Sequence, residues 1–226
     1  MKIKNEEINK QILEIWKKYP QEIRGEYMPL LYPKFNEEAE LLFIGCNPSF
    51  REGAEEYIPK FDEIDENKIT ELIKGEGKRR QKDSNDNYFR EMVKLSEEVG
   101  MPWNHLDLFY YRETKQNEFK KKLLKLNKKR IIFENFDAFA KEQFEFSIRL
   151  INKIKPKIII VANAFASDLV KNYFKLGREK FSNEYGCYFI EKTPIFFSSM
   201  LSGGHLDKYS RERLVWHIKG TLKNIK

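Results

Sequence analysis

The chain reads as an α/β fold built on a largely parallel sheet covered on both faces. Three observations predict it. Continuous apolar runs stand at 41–45, 105–111 and 157–162, segments with helical spacing alternate with them, and each run stops at small, polar or backbone-restricted residues.

Taken in order, Ile8, Ile12, Ile15 and Trp16 recur near helical spacing and predict an amphipathic helix over 5–18. Leu41-Leu42-Phe43-Ile44-Gly45 is a buried strand that runs into a polar loop. Residues 46–85 follow as a long irregular segment with one short helix around 68–74; loops of that length in a compact domain are usually functional. A helix over 88–99 is stopped by Gly100 and Pro102. The run at 105–111 is the second core strand, and Arg112, Glu113 and Thr114 fall in its loop. A long helix over 138–154 leads to the strand 157–162, and Asn163 opens a helix to about 174. A hairpin-like pair, 188–190 and 195–198, precedes the loop Ser202-Gly203-Gly204-His205 and a last helix over 210–223.

At 226 residues the chain suits one domain, 1–226, with a helical extension over about 1–39. Its 41% hydrophobic and 34% charged residues are those of a soluble globular protein, with no apolar stretch long enough for a bilayer. The start Met1-Lys2-Ile3-Lys4-Asn5-Glu6-Glu7 has no apolar signal core, so a cytoplasmic location is expected. Two cysteines, Cys46 and Cys187, exclude a four-thiolate cluster or four-cysteine zinc site made by this chain alone. The net charge of +7 is unevenly spread: 115–130 holds eight basic residues against Glu118, and Lys74, Lys78, Arg79, Arg80 and Lys82 form a second group. Such clusters suit a polyanion, and they also suit an ordinary solvated face.

The loop after the first strand carries the chemistry. Pro48 fixes its own φ and pushes Asn47 toward extended backbone, while Gly45 is free of Cβ restrictions. Ligands of open α/β sheets bind beyond the carboxyl ends of strands, so Gly45, Cys46, Asn47, Pro48, Ser49 and Phe50 mark the expected binding loop, with Asn163 at the end of a later strand.

Gly45-Cys46-Asn47-Pro48-Ser49 resembles the first motif of the uracil-DNA glycosylase superfamily, especially its mismatch-specific and single-strand-selective branches, which carry Gly-x-Asn-Pro-Gly. Ser49 stands where they have glycine. The order of elements over roughly 40–220 is similar too, and the cysteine count points to a cluster-free branch. The resemblance implies a three-layer αβα sandwich with a central, mostly parallel four-stranded sheet. It also implies a glycosylase that flips a deaminated or damaged base from DNA and hydrolyses its N-glycosidic bond, without metal or cofactor.

The resemblance gives each candidate a role. Asn47 orients the attacking water, and His205 hydrogen-bonds the departing base from the loop Ser202, Gly203, Gly204, although here the glycines precede the histidine and no proline follows. Asp107 and Arg112 match by spacing an Asn-x-x-x-x-Arg segment; a carboxylate in the amide's place favours a base that presents N–H groups, or must itself be protonated to donate. Tyr57 or Phe61, with Phe50 nearby, are the aromatic platform candidates. The replacement wedge is Leu206 or Tyr209. Each residue also has a plainer use: a capping Asn-Pro turn, a surface histidine, an Asp107 ion pair, core aromatics.

Two further functions stay open. One is a catalytically inactive nucleic-acid or nucleotide-binding module of the same fold. The other is a hydrolase using Cys46 as nucleophile with His105 or His205. The expected partner is single- or double-stranded DNA, with no membrane and a monomeric chain.

Overall fold

A computed structural model describes residues 4–82, 85–125 and 131–224. The helices are α1 (Asn5–Lys18), α2 (Gln21–Arg24), α3 (Glu66–Arg79), α4 (Asn87–Val99), α5 (Gln116–Lys122), α6 (Ala138–Ile154), α7 (Ala164–Tyr173) and α8 (Lys208–Asn224). The strands are β1 (Leu41–Gly45), β2 (Trp103–Asp107), β3 (Ile158–Ala162), β4 (Tyr188–Ile190) and β5 (Thr193–Ser198). Two compact units are each assembled from separated stretches: Met1–Phe35, Cys46–Lys78 and Asp107–Ile154 in the first, and Asn36–Gly45, Arg79–Leu106 and Lys155–Lys226 in the second.

The second unit contains the sheet, in the order β2-β1-β3-β5-β4. β1 pairs parallel with β3 (Phe43 opposite Ile160) and β3 parallel with β5 (Ala162 opposite Ser198). β4 pairs antiparallel with β5, so the sheet has five strands where four were expected. The extra strand is the near arm of the hairpin-like pair. Only three residues long, it adds to the sheet edge through a tight turn in which Glu191 takes a left-handed φ of 53°.

Strand residues alternate between faces. Leu41, Phe43, Ile158, Ile160, Ala162 and Phe196 join Phe89, Met92 and Leu95 of α4 and Val215 and Ile218 of α8 in one apolar core. Leu42, Ile44, Ile159, Val161 and Ile195 fall on the opposite face and are buried as well, as a sheet covered on both sides requires. Burying a side chain the size of Phe43 contributes roughly 1.5–3 kcal/mol, which is why these runs form central strands. Helix ends follow the local chemistry. Asp86 caps α4 by accepting from the Tyr88 N–H at 3.0 Å, and Gly100 at φ 70° ends it.

The first unit packs α1 against α6, with Trp16 edge-on to Phe139 at 4.7 Å. Asn9 makes a two-way clasp with Tyr32: Nδ2 donates to its carbonyl at 2.9 Å and Oδ1 accepts from its N–H at 2.8 Å. The expected strand 105–111 is displaced in the structure, ending at Asp107. Leu108, Phe109 and Tyr110 are buried all the same, and the backbone of Phe109 and Tyr110 finds partners outside the ladder. Gln143 Oε1 accepts from the N–H groups of both Tyr110 and Tyr111, at 2.8 and 3.0 Å. A buried apolar run is then satisfied without being a strand.

Candidate active-site loops

Two segments of the first unit, 46–50 after β1 and 107–113 at the end of β2, are knit together backbone to backbone. Phe109 N–H donates to the Cys46 carbonyl and Glu113 N–H to the Pro48 carbonyl, each at 2.9 Å. Asn47 closes the seam. Its Nδ2 donates to the carbonyls of Glu113 at 2.7 Å, Pro48 at 3.1 Å and Tyr111 at 3.4 Å. An amide nitrogen has two N–H bonds for these acceptors, so one is shared, and the reversed amide would set oxygen against oxygen. Nδ2 is therefore the tied end and Oδ1 the open end of a half-buried side chain, receiving no hydrogen bond among the described residues. One end of the Asn47 amide thus caps the backbone, the plainer use expected of it, and the other end is held in a fixed orientation.

Gly45 is the last residue of β1 and lies in extended backbone; the conformational freedom expected of it is not drawn on. Cys46 is buried, and burial pushes its thiol up, with the Asp107 carboxylate adding and Lys120 opposing. A shielded thiol held protonated is a poor nucleophile, which weighs against the cysteine hydrolase. Asp107 is itself buried; its N–H donates to the Tyr32 hydroxyl at 2.9 Å and its carbonyl accepts from Ser147 Oγ at 3.0 Å.

Arg112 turns inward. Nε donates to the Met28 carbonyl at 3.1 Å, and Nη2 reaches the Pro29 carbonyl at 3.4 Å and Glu76 Oε1 at 2.8 Å. Its guanidinium is thus a strut within the fold rather than an open substrate contact. The three aromatic candidates also part ways. Phe61 is buried beneath the Arg24 guanidinium, 4.4 Å from its ring centre; Phe50 lies tilted against Tyr27, ring centres 4.6 Å apart; Tyr57 is exposed. Ser49 is half-buried beside Phe50.

In the second unit, the carboxyl ends of β3 and β5 lie side by side. Asn163, expected at the binding end of β3, caps α7 instead, its Oδ1 accepting from the Ala166 N–H at 2.9 Å. Ser198 ends β5 with its Oγ buried and without a hydrogen-bond partner among the described residues. Beyond it, Ser199 Oγ donates to the His205 carbonyl at 2.8 Å. Gly203 and Gly204 take left-handed φ values of 69° and 72°, where a Cβ is strained. A Cβ on Gly203 would also stand 3.3 Å from His205 Cδ2, so the glycine pair sets the path that leaves the His205 side chain exposed. Ser202 is half-buried.

His105 is buried on β2, where Tyr88 Oη lies 3.3 Å from Nε2 and Arg80 Nη1 donates to its carbonyl at 3.4 Å. Burial lowers its pKa well below the usual imidazole range, and Arg80 and Arg79 lower it further. Among the described residues no group of three His, Cys, Asp or Glu side chains could hold a metal ion, and no helix is long and apolar enough to cross a membrane. The basic run 115–130 is described only as far as Lys125, and 126–130 lie outside the described residues. In the other basic group, Arg79 pairs with Asp86 at 2.8 Å and Lys82 with Glu97 at 2.6 Å.

Two residues that organise these loops were not expected from the sequence, Gln143 and Glu76. Gln143 carried a signal, as a polar residue among Phe139, Ala140, Phe144 and Phe146 on the buried side of α6. Glu76 lies between Gly75 and Gly77 and reads as a solvated acid. No family model and no curated protein matches the chain.

Proposed function

We propose that the chain is a glycosylase-like hydrolase, of the uracil-DNA glycosylase type in fold and chemistry, that flips a deaminated or damaged base from DNA and hydrolyses its N-glycosidic bond. The observation that carries this reading is the Asn47 amide, tied at Nδ2 by the carbonyls of Glu113, Pro48 and Tyr111 and open at Oδ1. Hydrolysis through an oxocarbenium-like transition state needs a weak, well-placed acceptor for one hydrogen of the attacking water. A fixed amide oxygen supplies that and cannot rotate away. His205, on its glycine-shaped loop, has the role of donating a hydrogen bond to the departing base. Asp107 favours a base that presents N–H groups.

The test uses oligonucleotides each containing one uracil, hypoxanthine or xanthine, followed by alkali to cleave abasic sites. Wild type yields a shortened product on at least one of them. Asn47→Ala lowers its rate by roughly 10²–10⁴-fold, the range of a positioned proton-transfer group, while the thermal melt shows a folded protein. Product from Asn47→Ala at the wild-type rate refutes the assignment.

A second reading, a nucleic-acid-binding module without turnover, draws on the internal use of Arg112 and Phe61, two residues expected to contact substrate. Retained binding with no product on any of the oligonucleotides decides for it.

A further inference from the structure

Two aromatic side chains on α8 stand clear of the fold: Tyr209 is 67% exposed and Trp216 70%. The buried residues of this helix are Val215, Ile218 and Thr221. At about 100° per residue, Tyr209, Arg213, Trp216, Gly220 and Lys223 form a stripe on the side directly opposite, about 21 Å long from first to last. Arg213 and Lys223 are exposed on it and Lys219 on its flank, and Arg213 is steadied by a hydrogen bond from Nη2 to Ser210 Oγ at 2.9 Å. The helix has a single acid, Glu212, with Lys208 Nζ 3.9 Å away. The Trp216 ring meets His217 edge-on at 4.9 Å, and neither exposed aromatic belongs to the other side of the helix, which is committed to the core.

We propose that this face of α8 is a docking surface for single-stranded DNA, with Tyr209 and Trp216 stacking bases and Arg213, Lys219 and Lys223 meeting phosphates. Charge complementarity selects the occupant. The stripe lacks the aliphatic side chains that seat a helix in a bilayer, and a second copy of the chain would bring cations against cations. A polyanion with exposed π-faces satisfies both the charges and the rings, and single strands offer those faces without unstacking a duplex. The aromatics sit about two helical turns apart, so each engages a separate base. The choice of DNA over RNA rests on the base-excision reading; the surface itself does not depend on that chemistry.

The protein carries its own probe. Of its tryptophans, Trp16 is 1% exposed and Trp103 packs on Phe43 at 5.6 Å, so quenching by a stacked base reports Trp216. Titration with a lesion-free oligothymidylate of about 20 nucleotides is expected to quench the wild-type emission, and Trp216→Phe to remove the quench. Anisotropy of the labelled oligonucleotide is expected to show roughly 30-fold weaker binding for Tyr209→Ala/Trp216→Ala, taking the low end of the stacking range for two bases. Replacing Arg213, Lys219 and Lys223 by glutamine should flatten the dependence of log K on log salt by about 2. All five positions are exposed, so a melt unchanged from wild type is expected in each variant.

Wild type that does not bind, or variants that bind as tightly as wild type, overturn the proposal. So do a tenfold preference for the matching RNA, tighter capture on anionic phosphatidylserine vesicles, or self-association lost on the same substitutions. The oligonucleotide contains no lesion, so failure of the base-excision reading leaves these binding results standing and shows only in the alkali assay.

Discussion

Replacing Glu76 by alanine leaves the Arg112 guanidinium inside the first unit without its counter-charge. In the native chain the two side chains are only 2% (Arg112) and 5% (Glu76) exposed, with Nη2 and Oε1 2.8 Å apart. The bonds to the Met28 and Pro29 carbonyls remain in the variant, but they are already in use, and Nη1 is buried without a hydrogen-bond partner among the described residues even in the wild type. A guanidinium does not escape by losing its proton, as a buried lysine does. Removing one partner of a buried pair costs about 3–5 kcal/mol, a large share of the roughly 5–15 kcal/mol that holds a typical domain together. With a urea slope of about 1–3 kcal/mol/M, the unfolding midpoint should fall by about 1 M or more. Glu76→Leu/Arg112→Met removes both charges at similar volume and should recover most of the loss. The damage should also reach Asn47, because Tyr111 and Glu113, which flank Arg112, supply two of the carbonyls that tie its amide. On the base-excision reading, product formation by Glu76→Ala should then drop more than its folded fraction accounts for. A midpoint shift below roughly 0.3 M for Glu76→Ala, or a double variant as unstable as the two single losses added, refutes this account of the pair.

Neither cysteine should be reactive in the native protein. Burial pushes the Cys187 thiol to about 11 and Cys46 higher still, so a chromogenic disulfide reagent at about pH 8 should label neither until denaturant exposes both; rapid labelling of Cys46 would revive the nucleophile. For His105, the folded pKa lies well below the unfolded 6.5, so the unfolded chain takes up a proton first as pH falls. Its contribution to stability is complete above 6.5 and is lost as pH drops toward the lowered value, at up to about 1.4 kcal/mol per pH unit. Urea midpoints at about pH 7.5 and 5.5 should differ less in His105→Gln than in wild type, and an identical pH dependence in the two would rule the effect out.

The parts of the fold legible in the sequence are those fixed by local pattern. β1 and β3 are short, fully buried runs in which every residue is apolar or small, and such runs have few alternatives to a central strand. β2 misled because apolar character continues through Leu108, Phe109 and Tyr110, past the point where the ladder ends; only the distant Gln143 shows that the backbone there is satisfied by a side chain. α3 runs over Glu66–Arg79, beyond the short helix expected, since Gly75 and Gly77 argue locally against a helix that Leu72 and the buried Glu76 anchor. The two compact units escape any linear reading because each gathers three separated stretches. At the candidate site, Asn47 was legible from the strand end and its proline. The inward turn of Arg112 was not, because it depends on Glu76 thirty-six residues away. The α8 stripe was present as an i, i+4, i+7 pattern of Tyr209, Arg213 and Trp216, but only the burial of the opposite face shows that it is left over.

The pairing of Asn47 with Pro48 bears on the lifetime of the molecule as well as on its shape. Asparagine ages when the following backbone nitrogen attacks the side-chain amide, expels ammonia and leaves aspartate or its isomer. The Pro48 nitrogen carries no hydrogen and is closed into a ring, so that route is blocked at this position. Were aspartate formed there, it would turn a carboxylate oxygen toward the carbonyls of Pro48, Tyr111 and Glu113 and push the two loops apart. The residue that stiffens the loop therefore also guards the chemical identity of its neighbour, and the seam should survive as long as the chain does.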